Sequence, residues 1–142
     1  MKKVDIYLAN LAVGNIKLHN LHWNVKGFAF KQVHEYLEAL YDRIFECFDE
    51  VAEIQKMQGV FPKASMKEYL EITTVEELES KDYSVKESVE LAKAYLEQMR
   101  ALALEIREEA DKEDNFALAN LAEAHVEGYN KEIWFMDSML EG

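Results

Sequence analysis

The stretch KLHNLHWNVKGFAF, from Lys17 to Phe30, sets two histidines and a tryptophan at the end of an apolar helical pattern and then introduces a glycine. Upstream, residues at alternating steps of four and three are apolar except at Asn15 and His22, a spacing that predicts one face of an α-helix. Gly27 predicts a turn, after which a second helical pattern begins. The stretch therefore predicts two antiparallel helices with histidines at their junction.

Three further helical patterns follow the first, and each carries apolar residues at helical spacing along one side. They cover about residues 30–57, 85–110 and 115–140. Gly59 and Pro62 are expected to end the second helix, and Ser84 is the expected N-cap of the third.

The lengths of the connections decide how these helices are arranged. Short links near Gly27 and at residues 111–114 make the first and second helices, and the third and fourth, antiparallel neighbours. Between the second and third lie about 27 residues, long enough to run the length of the bundle, and SMKEYLEI within them predicts a short helix. We therefore predict an all-α protein with one domain over residues 1–142, a ferritin-like four-helix bundle with one long crossover carrying a short helix.

The composition supports this class and argues against several functions. With 49% hydrophobic residues, one proline and five glycines, the chain can build a core and long helices. The net charge of −12 argues against DNA binding, because Lys and Arg supply most phosphate affinity. The same negative charge either attracts metal cations as partners or only keeps the protein soluble. One cysteine and no recognisable leader or spanning segment favour a cytoplasmic protein without membrane contact.

Beside its core stripe, the second helix carries a row of side chains that can bind metal ions. His34 and Glu38 are four residues apart, as are Asp49 and Glu53, so each pair shares a helix face. Imidazole and carboxylate together suit iron, manganese or zinc. The two pairs are roughly 22 Å apart along a helix that rises about 1.5 Å per residue. Within one chain they cannot hold the same ion.

Two copies of the second helix that cross antiparallel would bring the pairs together. The mean position of the first pair is 36 and that of the second is 51, so a two-fold axis would lie near 43.5, with Tyr41 and Phe45 filling the interface. The turn at Gly27 would place His22 beside His34 as a further ligand. The spacing thus predicts two equivalent sites per dimer, each shared between subunits. A site inside one bundle is disfavoured because no histidine follows a glutamate by three residues.

Four segments, HNLHWNVKGFAF, VHEYLEALY, FDEVAE and KEIWFMDSML, resemble the Dps family of mini-ferritins, the starvation-induced DNA-protecting proteins. The resemblance extends over nearly the whole chain. It implies that the chain assembles with itself into two-fold dimers and a hollow dodecamer of tetrahedral symmetry. It also implies a ferroxidase that binds two iron ions at each inter-subunit site, oxidises Fe(II), preferably with hydrogen peroxide, and stores ferric iron.

Carried over position by position, the resemblance assigns metal ligands from both subunits and one catalytic aromatic residue. The site tryptophan falls on Trp23, which we expect to quench escaping oxidising equivalents together with nearby tyrosines. The expected metal ligands are His22, His34 and Glu38 of one subunit with Asp49 and Glu53 of the other.

The chain departs from the family pattern at three places, of which one, Gly59-Val60-Phe61-Pro62 in place of a Gly-Gly-x-Pro turn, is a tolerable variation. Many members have an arginine directly after the residue that matches Glu53, and this chain has Ile54 there. DNA-binding members often carry a Lys-rich tail, whereas here only Lys2 and Lys3 precede the first helix. Two other functions stay open at this point. One is a nucleoid-associated DNA-protecting structural protein with little iron turnover, and the other is a zinc- or manganese-binding bundle without redox turnover.

Four other residues have less definite expectations. His19 either supports a metal ligand or replaces one, or it is a surface histidine. His125 falls on the apolar row of the fourth helix and is expected to be a hydrogen-bonded core residue. Cys47 is expected to pack as a small hydrophobic side chain, and Trp134 is expected to pack as well.

Overall fold

The computed structural model describes residues 2–141 and shows five helices and two very short strands within them. The helices are α1 (Lys2–Asn24), α2 (Phe30–Met57), α3 (Met66–Ile72), α4 (Val85–Lys112) and α5 (Phe116–Leu140). The strands are β1 (Val25–Lys26) and β2 (Tyr83–Ser84). The predicted all-α, ferritin-like bundle is confirmed, including the crossover between α2 and α4 with its short helix α3.

The ends of the helices follow local chemistry. Gly27 has a φ of 118° and Gly59 a φ of 80°, in the region that glycine enters at little cost. Ser84 begins α4 with a full capping box, in which its side chain accepts from the backbone N–H of Glu87 and the Glu87 carboxylate accepts from the backbone N–H of Ser84. The predicted N-cap at Ser84 is therefore confirmed.

The two strands pair in parallel, with Val25 beside Tyr83 and Lys26 beside Ser84. This contact ties the end of the crossover to the turn between α1 and α2. An ion pair adds to it, since Lys26 Nζ lies 3.0 Å from Asp82 Oδ2. The sequence did not predict the strands, because two residues are too few to show a period of two.

The core lies between the four long helices and includes the predicted apolar row of α1. Close packing explains the glycine in the middle of that helix, because a Cβ atom at Gly14 would lie 2.0 Å from the ring of Tyr95. The Tyr95 hydroxyl donates to the Asn10 carbonyl at 2.9 Å. The side chain of Asn10, fully buried, bonds Thr73 and Thr74 of the crossover. These contacts fix the crossover against α1.

One packing prediction is wrong for this chain. Trp134 is 64% exposed, because it follows the buried Ile133 on α5 and so points away from the bundle. Its ring approaches the neighbouring ring of Phe135, with centroids 5.1 Å apart. Among the described residues, no helix combines the length and the apolar character needed to cross a bilayer.

Candidate metal centre

The turn at Gly27 brings His22 of α1 against His34 of α2. Their imidazole rings stack with centroids 3.8 Å apart and an angle of 12° between planes. The His22 side chain is buried and that of His34 is half-buried. Both histidines predicted as ligands therefore lie together at one end of the α1–α2 pair.

Each imidazole forms a hydrogen bond with the backbone carbonyl of the other histidine. His22 Nδ1 lies 2.7 Å from the carbonyl oxygen of His34, and His34 Nδ1 lies 2.7 Å from the carbonyl oxygen of His22. A carbonyl can only accept a hydrogen bond, so each Nδ1 must carry the proton. In neutral rings both Nε2 atoms then keep their lone pairs, and their orientation is fixed. Metal-binding histidines are commonly held in this way by their other nitrogen.

Glu38, the predicted third ligand, completes this side of the site. Its Oε1 lies 3.9 Å from Nε2 of His22, and more than half of its side chain is exposed. The structure thus brings His22, His34 and Glu38 together in one chain. Two imidazoles and a carboxylate form a donor set that suits a divalent first-row metal ion.

Asp49 and Glu53 lie further along α2, and the structure does not bring them to the histidines. Asp49 is eleven residues beyond Glu38, roughly 16 Å at about 1.5 Å per residue. Both carboxylates are exposed, and the side chain of Phe45 between the two ligand groups is 61% exposed. The exposed α2 face therefore carries the predicted ligands in two separate groups, with the exposed ring of Phe45 between them.

Aromatic rings extend from the histidines along the same surface. The ring of Tyr41 meets that of His22 edge-on at 5.2 Å and stacks on that of His19 at 3.6 Å. The ring of Trp23 lies 5.4 Å from that of His19 and is 64% exposed. The Nδ1 of His19 bonds the carbonyl oxygen of Asn15 at 2.7 Å. His19 is therefore an ordered neighbour of the histidine pair rather than a free surface side chain.

Sequence reasoning missed a second cluster, which lies between α2 and α5 and extends from the core to the surface. Ligand atoms of Cys47, Glu50 and His125 all lie within 4.8 Å of one another. His125 Nε2 is 3.0 Å from Glu50 Oε1, and its Nδ1 is 2.8 Å from the hydroxyl of Tyr7. Arg43 Nη1 lies 3.5 Å from Glu50 Oε1. The predictions that His125 is a hydrogen-bonded core residue and that Cys47 is buried are confirmed, since each is 1% exposed.

Burial controls the protonation of this inner cluster. It lowers the pKa of His125 more than the hydrogen bond and charge of Glu50 raise it, so the imidazole is neutral near pH 7. Burial also raises the pKa of the Cys47 thiol to about 12, against the lowering effect of Arg43. The cysteine is therefore a protonated thiol when no cation is nearby.

A family comparison and a search for relatives both find proteins of one kind. A family described as the ferritin-like domain matches residues 2–142. The DNA protection during starvation protein of Helicobacter pylori is 30% identical over 128 residues, which are 88% of this chain and 87% of that protein. The protein of the same name from Listeria innocua is 32% identical over 134 residues, 94% of this chain and 86% of that protein.

The antigen TpF1 of Treponema pallidum is similar in both sequence and structure. Its crystal structure matches with a TM-score of 0.96 at 29% identity, over 99% of this chain and 90% of that one. By sequence, 79 residues align at 43% identity, and they span 45% of that antigen's length. A structure of Dps from Listeria monocytogenes matches with a TM-score of 0.94 at 31% identity, over 98% of this chain and 91% of that one.

Proposed function

The chain belongs to the ferritin-like family and, within it, to the Dps proteins, and from that premise we propose that it is a ferroxidase and iron store. It oxidises Fe(II), preferably with hydrogen peroxide, at sites shared between two subunits, and it holds ferric iron inside a dodecameric cage. The family supports iron storage and DNA protection in general terms. The observation that carries the finer proposal is the reciprocal hydrogen bonding of His22 and His34, which leaves both Nε2 atoms free to bind iron.

Each proposed ligand has a definite part in binding the substrate iron. His22 and His34 offer neutral nitrogen donors whose direction the backbone carbonyls fix, so little reorganisation accompanies binding. Glu38, with Asp49 and Glu53 of the second subunit, supplies negative charge. Hard carboxylate oxygens stabilise Fe(III) relative to Fe(II), and this difference favours oxidation.

The reaction balances with two iron ions and one peroxide molecule. Each Fe(II) gives up one electron, the O–O bond of hydrogen peroxide breaks, and two protons from solvent complete two water molecules. Because both electrons arrive together, no hydroxyl radical is released. Trp23 beside His19 and the half-buried Tyr41 beside His22 can quench an oxidising equivalent that escapes.

The second subunit is part of the proposal because one chain holds its ligands in two separated groups. An antiparallel crossing of two α2 helices near residues 43 and 44 would place Asp49 and Glu53 opposite the histidine pair. The exposed ring of Phe45 would then be buried at the two-fold axis, as aromatic residues often are in subunit interfaces. Six such dimers make the proposed dodecamer, in which each chain is a single domain.

The experiment that tests this proposal uses two variants, each of which lacks a ligand from a different side of the shared site. His34→Ala and Asp49→Ala should each abolish rapid peroxide-driven Fe(II) oxidation while keeping the mass of the assembled protein. When equal amounts are unfolded and reassembled together, half of the dimers contain one chain of each kind. Such a dimer has one site with both defects and one intact site, so the mixture should recover about a quarter of the wild-type rate.

The same mixture distinguishes a shared site from a site within one chain. If each chain holds its own complete site, mixing restores nothing, and the shared arrangement is wrong. If either single variant oxidises iron at the wild-type rate, the ligand assignment is wrong. A reassembled wild-type sample serves as the control for losses during refolding, and a monomeric mass for wild type would contradict the proposal directly.

A further inference from the structure

A second cluster of potential ligands lies between α2 and α5 of one chain and joins the buried Cys47 and His125 to Glu50, whose side chain is 44% exposed. We propose that Cys47, Glu50 and His125 form a site for a zinc-class cation, with Zn²⁺ as its preferred occupant. This site is complete within one chain and contains sulfur, and in both respects it differs from the proposed iron site. It goes beyond iron oxidation and does not depend on it.

The three ligand atoms are nearly close enough to share an ion. A tetrahedral zinc ion with bonds of about 2.3 Å to sulfur and about 2.0 Å to nitrogen or oxygen separates its ligand atoms by about 3.3–3.6 Å. Here the atoms lie within 4.8 Å of one another, and His125 Nε2 and Glu50 Oε1 are already 3.0 Å apart. Small side-chain rotations close the remaining gap. Cys47 and Glu50 are three residues apart on α2, so they share a helix face.

A chain of hydrogen bonds through two tyrosines fixes the imidazole of His125. Tyr7 holds Nδ1 of His125 and also bonds the hydroxyl of Tyr129, so the ring has a fixed orientation with Nε2 facing Glu50. Without a metal ion, Nε2–H donates to the Glu50 carboxylate and Nδ1 accepts from the Tyr7 hydroxyl. With the ion bound to Nε2, the imidazole proton resides on Nδ1 and donates to the Tyr7 oxygen. The Tyr7 hydroxyl then donates to Tyr129, and the histidine stays neutral throughout.

There is room beside the cluster for an ion and its remaining ligand. A cavity of about 280 Å³ is bordered by Cys47 and His125, with Leu40 and Tyr129 among its other walls. One water molecule occupies about 30 Å³ in the liquid, so the cavity holds several. A water molecule can therefore supply the fourth ligand. The exposed side chain of Lys131 at the rim marks where solvent reaches the cavity.

The thiolate in this donor set favours a softer metal ion than the carboxylate-rich iron site does. Thiolate, imidazole and carboxylate are the three protein ligands that zinc takes most readily. Binding drives the buried thiol proton into solvent, and this proton is the one released overall. Arg43 opposes the ion, since its guanidinium lies 3.5 Å from Glu50. The guanidinium also contacts Glu46 at 3.3 Å, so it keeps a partner when Glu50 turns to the metal.

Cobalt provides a specific test, because Co²⁺ bound to a thiolate absorbs in the near ultraviolet through sulfur-to-metal charge transfer. Cys47 is the single cysteine of the sequence, so any such band reports on this site. In the assembled protein, Co²⁺ in excess of the two ions per chain that the proposed iron site can take should produce the band, and Zn²⁺ should abolish it. Cys47→Ser should show no band. His34→Ala, which alters the proposed iron site, should retain it unchanged.

Three further variants test the ligand set and its supports. His125→Gln should weaken Co²⁺ binding at least tenfold, and Tyr7→Phe, which removes the support of the imidazole, should weaken it about 10- to 100-fold. Arg43→Gln should tighten binding severalfold, since it removes a nearby positive charge. Circular dichroism and mass establish that each variant is folded and assembled.

The outcomes decide the proposal in either direction. Absence of the band in folded wild type saturated with Co²⁺ overturns it. Unchanged affinity in folded His125→Gln overturns the ligand set, because the thiol would then bind alone. If His125→Gln does not fold, the rate at which a thiol reagent modifies Cys47 in the wild type tests the site instead. Zn²⁺ should slow modification of Cys47 at least tenfold, and equal rates with and without Zn²⁺ reject the site.

Discussion

The two clusters that we propose as metal sites differ in how complete each one is within a single chain. At the α1–α2 turn, His22 and His34 are fixed by backbone carbonyls, yet the carboxylates that should complete their site are exposed and far along α2. Between α2 and α5, Cys47 and His125 are buried and lie with Glu50 in one cluster. In our proposals the outer cluster requires a second molecule, whereas the inner cluster requires only an ion.

This difference follows from where each ligand lies around α2. Cys47 lies on the buried stripe of the helix, so its partner comes from another helix of the same bundle. Glu38, Asp49 and Glu53 lie on the exposed side of the helix. One helix thus presents ligands to two different environments. As proposed, the inner set requires only the fold of one chain, and the outer set requires assembly with a second one.

The largest effect should come from a change that disrupts assembly and leaves the bundle intact. Phe45→Asp places a charge on the ring position that we expect at the two-fold axis, where burying an unpaired carboxylate is costly. Fe(II) oxidation with peroxide should fall at least 100-fold and the dimer should dissociate, as measured by light scattering. The cobalt–thiolate band of the inner site should keep its intensity, because Cys47, Glu50 and His125 belong to one chain.

A matched control places the same charge at another exposed phenylalanine. Phe61 is 84% exposed and follows the end of α2, away from the proposed axis, so Phe61→Asp should leave the two-fold dimer intact. Equal loss of oxidation in both variants would mean that Phe45 has no special position. Loss of the cobalt band in Phe45→Asp would mean that the inner site also requires the partner subunit.

The sequence predicts the outer cluster far better than the inner one. Its ligands have regular spacing on α2, and the one ligand on α1, His22, interrupts an apolar stripe next to a glycine turn. The inner cluster joins residues 75 positions apart, His125 and Glu50, and depends on how α5 is rotated against α2. Periodicity showed that His125 faces the core but could not show which side chains meet it.

Two details of the outer cluster were equally hidden in the sequence. The carbonyl oxygens that accept from His22 and His34 belong to the backbone, so no residue type indicates them. The strand pair behind the turn is two residues long and leaves no recognisable pattern. The four long helices and the crossover helix were predictable, because each has a long apolar stripe or clear capping residues. The spatial relation between helices was predictable from the lengths of the connections, whereas the rotation of each helix about its own axis against its neighbours was not.

An intermediate effect should come from the hydrogen bonds that support the inner cluster. Tyr7→Phe leaves Nδ1 of His125 and the hydroxyl of Tyr129 without their shared partner in a fully buried place. Each unpaired buried group costs about 1–3 kcal/mol, so the midpoint of urea unfolding should fall clearly. The rate of Fe(II) oxidation below that midpoint should stay within twofold of wild type. This combination would show that the two clusters work independently.

Tyr36→Phe is the matched control for the loss of a tyrosine hydroxyl. Tyr36 also lies between α2 and α5, where its hydroxyl donates to the carboxylate of Glu132, but both groups are partly exposed and water can replace the bond. Its unfolding midpoint should fall less than that of Tyr7→Phe. The reverse order would indicate that the buried network around His125 contributes little, and an oxidation rate reduced tenfold in Tyr7→Phe would show that the clusters are coupled.

The smallest effect should come from the ion pair beside the histidine turn. Lys26 Nζ and Asp82 Oδ2 are 3.0 Å apart, but both side chains are about two-thirds exposed, and exposed ion pairs contribute about 0–1 kcal/mol. Lys26→Ala should therefore change the urea midpoint and the oxidation rate no more than Lys31→Ala, which removes the exposed pair with Glu35. A much larger loss of oxidation in Lys26→Ala would mean that the ion pair, rather than the backbone hydrogen bonds, holds the two imidazoles in place. The outer cluster would then be a flexible half-site, in contrast to the rigid support of the inner one.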